Sequence, residues 1–250
     1  MRILHAITLA ELGGAQSVVI NLCNKAAEEG HEVFVASGKE GEMWHLLSEK
    51  VQPIYLSHIQ RSIHPLKDLK AWWELRKLYR KIRPDVVHLH SSKMGALGRL
   101  AFPSTKIIYT VHGFDSIRVA FRKFLLVEKF LKNAVKYIVA VSRYDENNLK
   151  NEGISNKVAM IYNAISDNRN TFPMEGPDLM AETLEKIKKN NKIVMCIARL
   201  APPKNFNLFL SIAEKYSDKG IHFVWIGNKT PVDTQKLNNV SVLGEIKNAQ

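Results

Sequence analysis

The sequence predicts a doubly wound α/β fold, with a parallel sheet covered by helices in a first domain and an incomplete second domain behind it. Two patterns carry the prediction. Short β-branched runs alternate with longer amphipathic ones, the order that feeds parallel strands through crossover helices. The alternation breaks once, over a polar stretch bearing Pro and Gly, and then resumes.

Taken in order, the strand candidates of the first domain are residues 2–8, 32–37, 53–56, 85–90, 106–112, 137–142 and 158–163. Helices are expected at 14–29, closed by Gly30, at 41–50, and at 66–82, closed by Arg83-Pro84. Three more are expected at 93–101, 117–133 and 143–151, the last closed near Gly153. On 66–82, Leu66, Leu69, Trp72 or Trp73, Leu78 and Ile82 share one broad face that is expected to pack on the core. Residues 1–165 thus read as one domain, 166–191 as a linker, and 192–250 as part of a second domain. That second series has strands at 192–198, 222–227 and 240–244 and one clear helix at 205–216.

Composition limits the function classes. The chain has 250 residues, 46% of them hydrophobic and 24% charged, the make-up of a folded globular protein. A net charge of +12 favours an anionic partner. Cys23 and Cys196 stand far apart without further ligands nearby, which suits a reduced compartment and neither zinc nor a disulfide framework. At the N-terminus, His5 and Thr8 interrupt the apolar run and Glu11 ends it, so it reads as a strand rather than a leader. No stretch approaches the roughly 20 apolar residues of a membrane span. A cytoplasmic protein is expected, with any membrane contact peripheral on the inner face.

Several residues stand where chemistry is done in such sheets. Gly13 and Gly14 join the first strand to the first helix, where backbone amides can meet an anion. The pair would permit a positive φ and a close ligand, or form a plain tight turn. His112 ends the fifth strand and is expected in the same crevice. His88 and His90 share a strand face by alternation, but no third ligand is evident and no metal site is expected. Ser91 and Ser92 follow them as candidates for hydroxyl contacts to a substrate. In "IARLAPPKN", Arg199 and Lys204 sit on a loop before a helix, a pair suited to a diphosphate. The segment 117–133 interleaves Phe121, Phe124, Leu125 and Phe130 with Arg118, Arg122, Lys123, Lys129 and Lys132. That pattern suits an anionic membrane surface or ordinary core packing. It matches no nucleic-acid-binding module, and no nucleic acid partner is expected.

The ordered set "GGAQ", "DVVHLHS", "YTVHGFD", "YIVAVSRYDENNL", "VAMIYNAIS", "IARLAPPKNFNLFL" and "FVWIGN" resembles the retaining GT-B glycosyltransferases of group 1, family 4. The resemblance covers essentially the whole chain. It implies two Rossmann-like domains, and transfer of a hexosyl unit from a nucleotide-sugar donor to a glycan or lipid-linked acceptor. It further implies that Gly13, Gly14, Arg199, Lys204, Asn163 and Gly227 contact the donor, though "IGNK" lacks the usual second glycine. His112 is implied beside the transferred sugar, and Gln16, Ser91 and Ser92 beside the acceptor. No cofactor or metal is expected, because cationic side chains and helix dipoles neutralise the departing diphosphate. The family's paired glutamates and its returning terminal helix would fall beyond Gln250. A C-terminally truncated form is therefore expected, with a weakened grip on the donor. Two other readings stay open: a sugar-nucleotide epimerase of the same architecture, and a non-catalytic module that binds a membrane or a partner.

Overall fold

The computed structural model describes residues 1–164, 179–188, 192–228, 232, 234 and 237–244. Contacts divide the chain into two compact units, Met1–Ser166 and Asp167–Gln250.

The first unit is a seven-stranded, all-parallel sheet. Its strands are β1 (Arg2–Ala6), β2 (Glu32–Gly38), β3 (Gln52–Leu56), β4 (Val86–His90), β5 (Ile107–Val111), β6 (Tyr137–Ala140) and β7 (Val158–Met160). They lie in the order β3-β2-β1-β4-β5-β6-β7. The chain therefore builds outward through β3, returns to the far side of β1 and builds the other way. The reversal between β1 and β4 opens a crevice at their carboxyl ends, the usual ligand position of such sheets.

The helices are α1 (Gly14–Glu28), α2 (Pro65–Ile82), α3 (Ser92–Ala101), α4 (Leu125–Leu131) and α5 (Arg143–Asn151). Strand alternation splits the core in two. Leu4, Ala6, Val87, Leu89 and Tyr109 pack with Leu75 of α2, Met94 of α3, Leu125 of α4 and Leu149 of α5. Val33 and Val35, with Ile7 just past β1, pack with Val19, Ile20 and Cys23 of α1. Helix α3 lies close against the sheet: a Cβ on Gly95 would collide with the Tyr109 ring, and one on Gly98 would come within 2.5 Å of Leu89.

Three expectations need correction. Residues 41–50 form only a 3-10 stretch, Glu42–Leu46. Gly41 enters it at φ 141°, Met43 is buried with its amide on the Ala10 carbonyl, and the chain turns extended at Leu47. The helix expected over 117–133 is broken into a π turn at Ser116–Ala120, a 3-10 turn at Arg122–Phe124 and α4. Ile117, Val119 and Phe121 are poor helix formers because their side chains lose freedom against the preceding turn. Phe121 leaves helical geometry altogether, at φ −130° and ψ 51°. On α2 the expected core face holds only in its later part. Ile82 is buried and Trp72 and Leu78 pack against the core, whereas Leu66, Leu69 and Trp73 are exposed, and Leu75, which the expected face omits, is fully buried.

Part of the stretch expected as a linker is helical, α6 (Leu179–Lys188), while 165–178 and 189–191 lie outside the described residues. The second unit also holds β8 (Lys192–Ile197), α7 (Phe206–Lys215), β9 (Ile221–Ile226) and β10 (Val240–Val242). The three strands are parallel in the order β10-β9-β8. Phe206 and Phe209 of α7 meet the Trp225 ring edge-on at 4.9 and 5.1 Å, and Leu210, Ala213 and Phe223 form the core.

Candidate active site

The loops leaving β1, β4 and β5 meet the crevice of the first unit. After β1, Gly13 is the N-cap of α1 and Gly14 its first residue. Neither glycine has a positive φ; Gly13 is extended at −174°, which any residue adopts. The pair therefore serves no unusual φ, and what it provides is space. A Cβ on Gly14 would meet nothing within 4 Å, so open space lies above the helix start. Gln16 braces the loop, its amide nitrogen donating to the Leu9 carbonyl at 2.8 Å.

Across the reversal point, the Thr8 and Ser91 hydroxyls lie 2.7 Å apart, and the Thr8 amide donates to the Ser91 oxygen at 3.3 Å. Ser91 has φ 69° and ψ 150°, a strained backbone for a residue with a side chain, costing on the order of 1–3 kcal/mol. Helix α3 starts directly after it. Ser92 is the first residue of α3.

Four histidines occupy one face of the central strands. Register sets His5 of β1 beside His88 of β4, and His90 beside Thr110 of β5, with His112 just past the end of β5. His5 Nδ1 lies 3.1 Å from His90 Nε2, and His90 Nδ1 lies 3.0 Å from His112 Nε2. His88 Nε2 pairs with the Thr110 hydroxyl at 2.7 Å. The rings of His88 and His90 approach to 4.1 Å between centroids. Burial disfavours the charged form of each ring. It lowers His5 and His112 to about 4. It pushes His88 and His90 well below the ordinary histidine range, with the neighbouring rings adding to the effect. The stack is neutral at physiological pH. His5 is also the third histidine that sequence spacing did not reveal: ligand atoms of His5, His88 and His90 all lie within 4.8 Å of one another.

The loop after β5 is clamped by a residue that sequence reasoning missed. The buried carboxylate of Asp145 accepts from the Phe114 amide at 2.8 Å and from the Ser142 hydroxyl at 2.7 Å. Ser142 in turn accepts from the Asp145 amide at 3.1 Å, closing the start of α5. Ser-x-x-Asp ahead of a helix is a legible capping signal. The reach to Phe114, two residues past His112, is not. Asn163 lies exposed beyond β7, in the same unit.

In the second unit, Arg199 and Lys204 are exposed on the loop between β8 and α7, and neither forms an ion pair among the described residues. Asn205 caps α7 from a left-handed backbone, its side chain accepting from the Leu208 amide at 3.3 Å. A hollow of about 460 Å³ lies there, lined by Leu200, Ala201, Pro202, Asn205, Phe206 and Asn207. Gly227 follows β9 at φ 109°, where a Cβ would fall 2.9 Å from the Ala198 carbonyl oxygen. Only glycine fits there.

The basic segment of the first unit is partly neutralised. Arg118 pairs with Asp115 at 2.8 Å, while Arg122 and Lys129 reach Glu152 at 3.4 and 3.0 Å. Lys132 donates to the Gly153 carbonyl, and Lys123 lies over the Phe124 ring. Leu126 and Phe130 of α4 project outward, with Phe130 84% exposed. No helix among the described residues is long and apolar enough to cross a membrane.

Residues 12–169 match the family described as Glycosyltransferase Family 4. Among curated proteins, the chain is 27% identical over 225 residues to an Escherichia coli UDP-Gal:alpha-D-GlcNAc-diphosphoundecaprenol alpha-1,3-galactosyltransferase. That match covers 86% of this chain but 58% of the relative, so the chain spans little more than half of that enzyme's length. It is 24% identical to the E. coli O-antigen biosynthesis glycosyltransferase WbnH, over 97% of this chain and 69% of the relative. Its fold is similar to that of Anabaena Alr3699/HepE, solved in complex with UDP-glucose. That similarity has a TM-score of 0.73 at 17% identity, covering 99% of this chain and 70% of the other.

Proposed function

Because the chain belongs to Glycosyltransferase Family 4, we propose that it serves the transfer of a hexosyl unit from a nucleotide-sugar to a lipid-linked or polysaccharide acceptor, with retention. The observation that carries the reading is the convergence at one reversal point of three features. These are an open helix start above Gly14, a strained Ser91 held by Thr8, and a neutral His112 at the end of the neighbouring strand. A ring that stays neutral down to about pH 4 is a hydrogen-bonding group for a sugar hydroxyl rather than a general acid. In this reading Gln16, Ser91 and Ser92 line the acceptor side and Asn163 the donor side. Arg199 and Lys204 neutralise the departing diphosphate without a metal ion, and Gly227, packed against the Ala198 carbonyl, leaves the donor side of its turn free of a side chain.

A peripheral membrane seat belongs to the same proposal, because outward Leu126 and Phe130 stand beside Lys123 and Arg122. The test is transfer of labelled galactose from UDP-galactose to a diphosphoundecaprenol-linked N-acetylglucosamine, the substrates in the name of the E. coli relative. Gly14→Trp should fill the open space, leave the melting curve unchanged and lower transfer by at least about 100-fold. Undiminished turnover in that variant would return the pair to an ordinary turn. If the wild-type chain shows neither turnover nor stabilisation by UDP, the enzymatic reading of this chain fails.

A further inference from the structure

The four histidines do more than fill a sheet face. Three of them form a line, His5 Nδ1 to His90 Nε2 and His90 Nδ1 to His112 Nε2, with both gaps at hydrogen-bond length. A neutral imidazole carries one N–H and one bare nitrogen. His90 uses both of its nitrogens in the line, so it can donate in only one direction. If it donates to His5, His112 must donate to His90 and its outward Nδ1 is bare. If it donates to His112, His5 must donate to His90 and the outward Nδ1 carries the proton.

We infer that His5 and His90 are positioning residues that couple the tautomer of His112 to that of His5, so that the remaining His112 nitrogen, Nδ1, carries a proton when His5 Nδ1 does and is bare when His5 Nδ1 is bare. The inference rests on the reading of His112 as the group beside the sugar. Its surroundings favour one sense at a time. His5 and His90 are 3% and 0% exposed, so a mismatched contact would leave two N–H groups or two lone pairs facing each other without water. His88 supports the line from the side: its nitrogen is engaged by Thr110 and its ring lies against both His90 and His5. The line does not store a proton. A proton accepted at His112 and passed inward would leave a charged His5 in the core, against the desolvation that holds that ring neutral.

The same rings could serve a hydrogen-bonded row or a metal centre. His5, His88 and His90 are close enough to share an ion. The pairing, however, runs along the row to His112, and His88 turns its Nε2 to a hydroxyl.

Long-range 1H–15N spectra of the ring nitrogens, recorded on the full 250-residue chain, read the tautomer directly. Wild-type His5, His90 and His112 should share one neutral tautomer at any instant, all Nε2–H or all Nδ1–H, and so show matching populations. His5→Phe, which keeps a ring but no nitrogen, should shift the tautomer populations of His112 although residue 5 is not its hydrogen-bond partner. His5→Asn, whose amide near the Nδ1 position can donate or accept, should leave them closer to the wild type than His5→Phe does. If His5→Phe unfolds, His90→Asn makes the same cut, keeping the contact to His112 and dropping the one to His5. An unchanged His112 pattern in folded His5→Phe or His90→Asn would overturn the inference. So would uptake of one equivalent of zinc by the wild type that is lost in His88→Phe. UDP-galactose that leaves the His112 signals unmoved would count against the sugar-side reading alone, since the coupling among the rings is measured without substrate.

Discussion

Lowering the pH from 8 to 5 should destabilise the first unit steeply, and the histidine stack sets the size of the effect. In the unfolded chain each ring has its ordinary pKa near 6.5. In the fold, His5 and His112 are lowered to about 4, and His88 and His90 lie well below their usual range. A histidine depressed by folding is neutral in both states above pH 7, so it contributes no pH dependence there. As pH falls below 6.5 the unfolded state takes up a proton that the folded state refuses until about 4, and stability drops throughout that window. The slope approaches about 1.4 kcal/mol per pH unit for each ring. By pH 5, His5 and His112 alone remove roughly 4 kcal/mol, a large share of the 5–15 kcal/mol that holds a typical domain.

Glu128 works in the opposite sense. Burial raises its pKa above the usual carboxylate range despite Arg99, so it is protonated more readily in the fold. It offsets part of the loss toward the acid end. Hydrogen exchange of peptides covering β4 and β5 gives the opening free energy of the unit that contains the stack, independently of the second unit. The free energy should fall between pH 8 and 5, and His5→Asn should reduce the slope by about one proton. A free energy that is flat across this range, or an unaltered slope in His5→Asn, would refute the argument that the stack is buried and neutral.

Three further outcomes follow from single contacts. Glu128→Gln should cost about 3–5 kcal/mol in a urea melt, because the Arg99 guanidinium, now paired at 2.7 Å, would be left buried with its charge uncompensated. Asp145→Ala removes the acceptor for the Phe114 amide and the Ser142 hydroxyl. It should cost on the order of 1–3 kcal/mol and speed hydrogen exchange in residues 112–116 ahead of the sheet. Leu126→Ser with Phe130→Ser should leave the melting temperature within a few degrees, since both side chains are exposed, and lower flotation with anionic vesicles several-fold. Equal flotation would exclude this face from any membrane contact.

Much of the fold was legible because local chemistry and global arrangement agree. Apolar strand runs and helix stops at Gly30, Arg83-Pro84 and Gly153 placed every strand of the first unit to within a few residues. The candidates for β1, β5, β6 and β7 ran long at their carboxyl ends. Ser142 leaves β6 to cap α5, for example, and past β7 the Ile161 amide still donates to the Ala140 carbonyl but residues 162–164 lie outside the strand. The errors arise where tertiary partners decide. Leu66, Leu69 and Trp73 have helical spacing, but only the later part of α2 lies over the sheet. The candidate site was legible as positions at strand ends, and less so as contacts. Alternation paired His88 with His90, whereas only strand register could bring in His5. Gly13 and Gly14 were legible as a junction, but their service is open space rather than an unusual φ.

The polar groups in this core are placed where each constrains something outside it. Strands buried in a parallel sheet are ordinarily apolar runs. Here His5, His88 and His90 interrupt three such positions; the row from His5 through His90 ends at His112 on the crevice edge, and His88 pairs with Thr110. The same holds on the other face of the sheet. There Arg99 donates to the Gly95 carbonyl and to Glu128, and lies 4.6 Å above the Tyr109 ring. Helix α4 has only seven residues, too few to be stable alone, and Glu128 is its polar tie to the core. With Leu125, Glu128 and Leu131 turned inward, Leu126 and Phe130 have no route into the core. A buried ion pair is a weak source of stability when compared with apolar packing. It does, however, hold a short helix in one rotation, and that rotation keeps an apolar pair facing outward beside a basic strip.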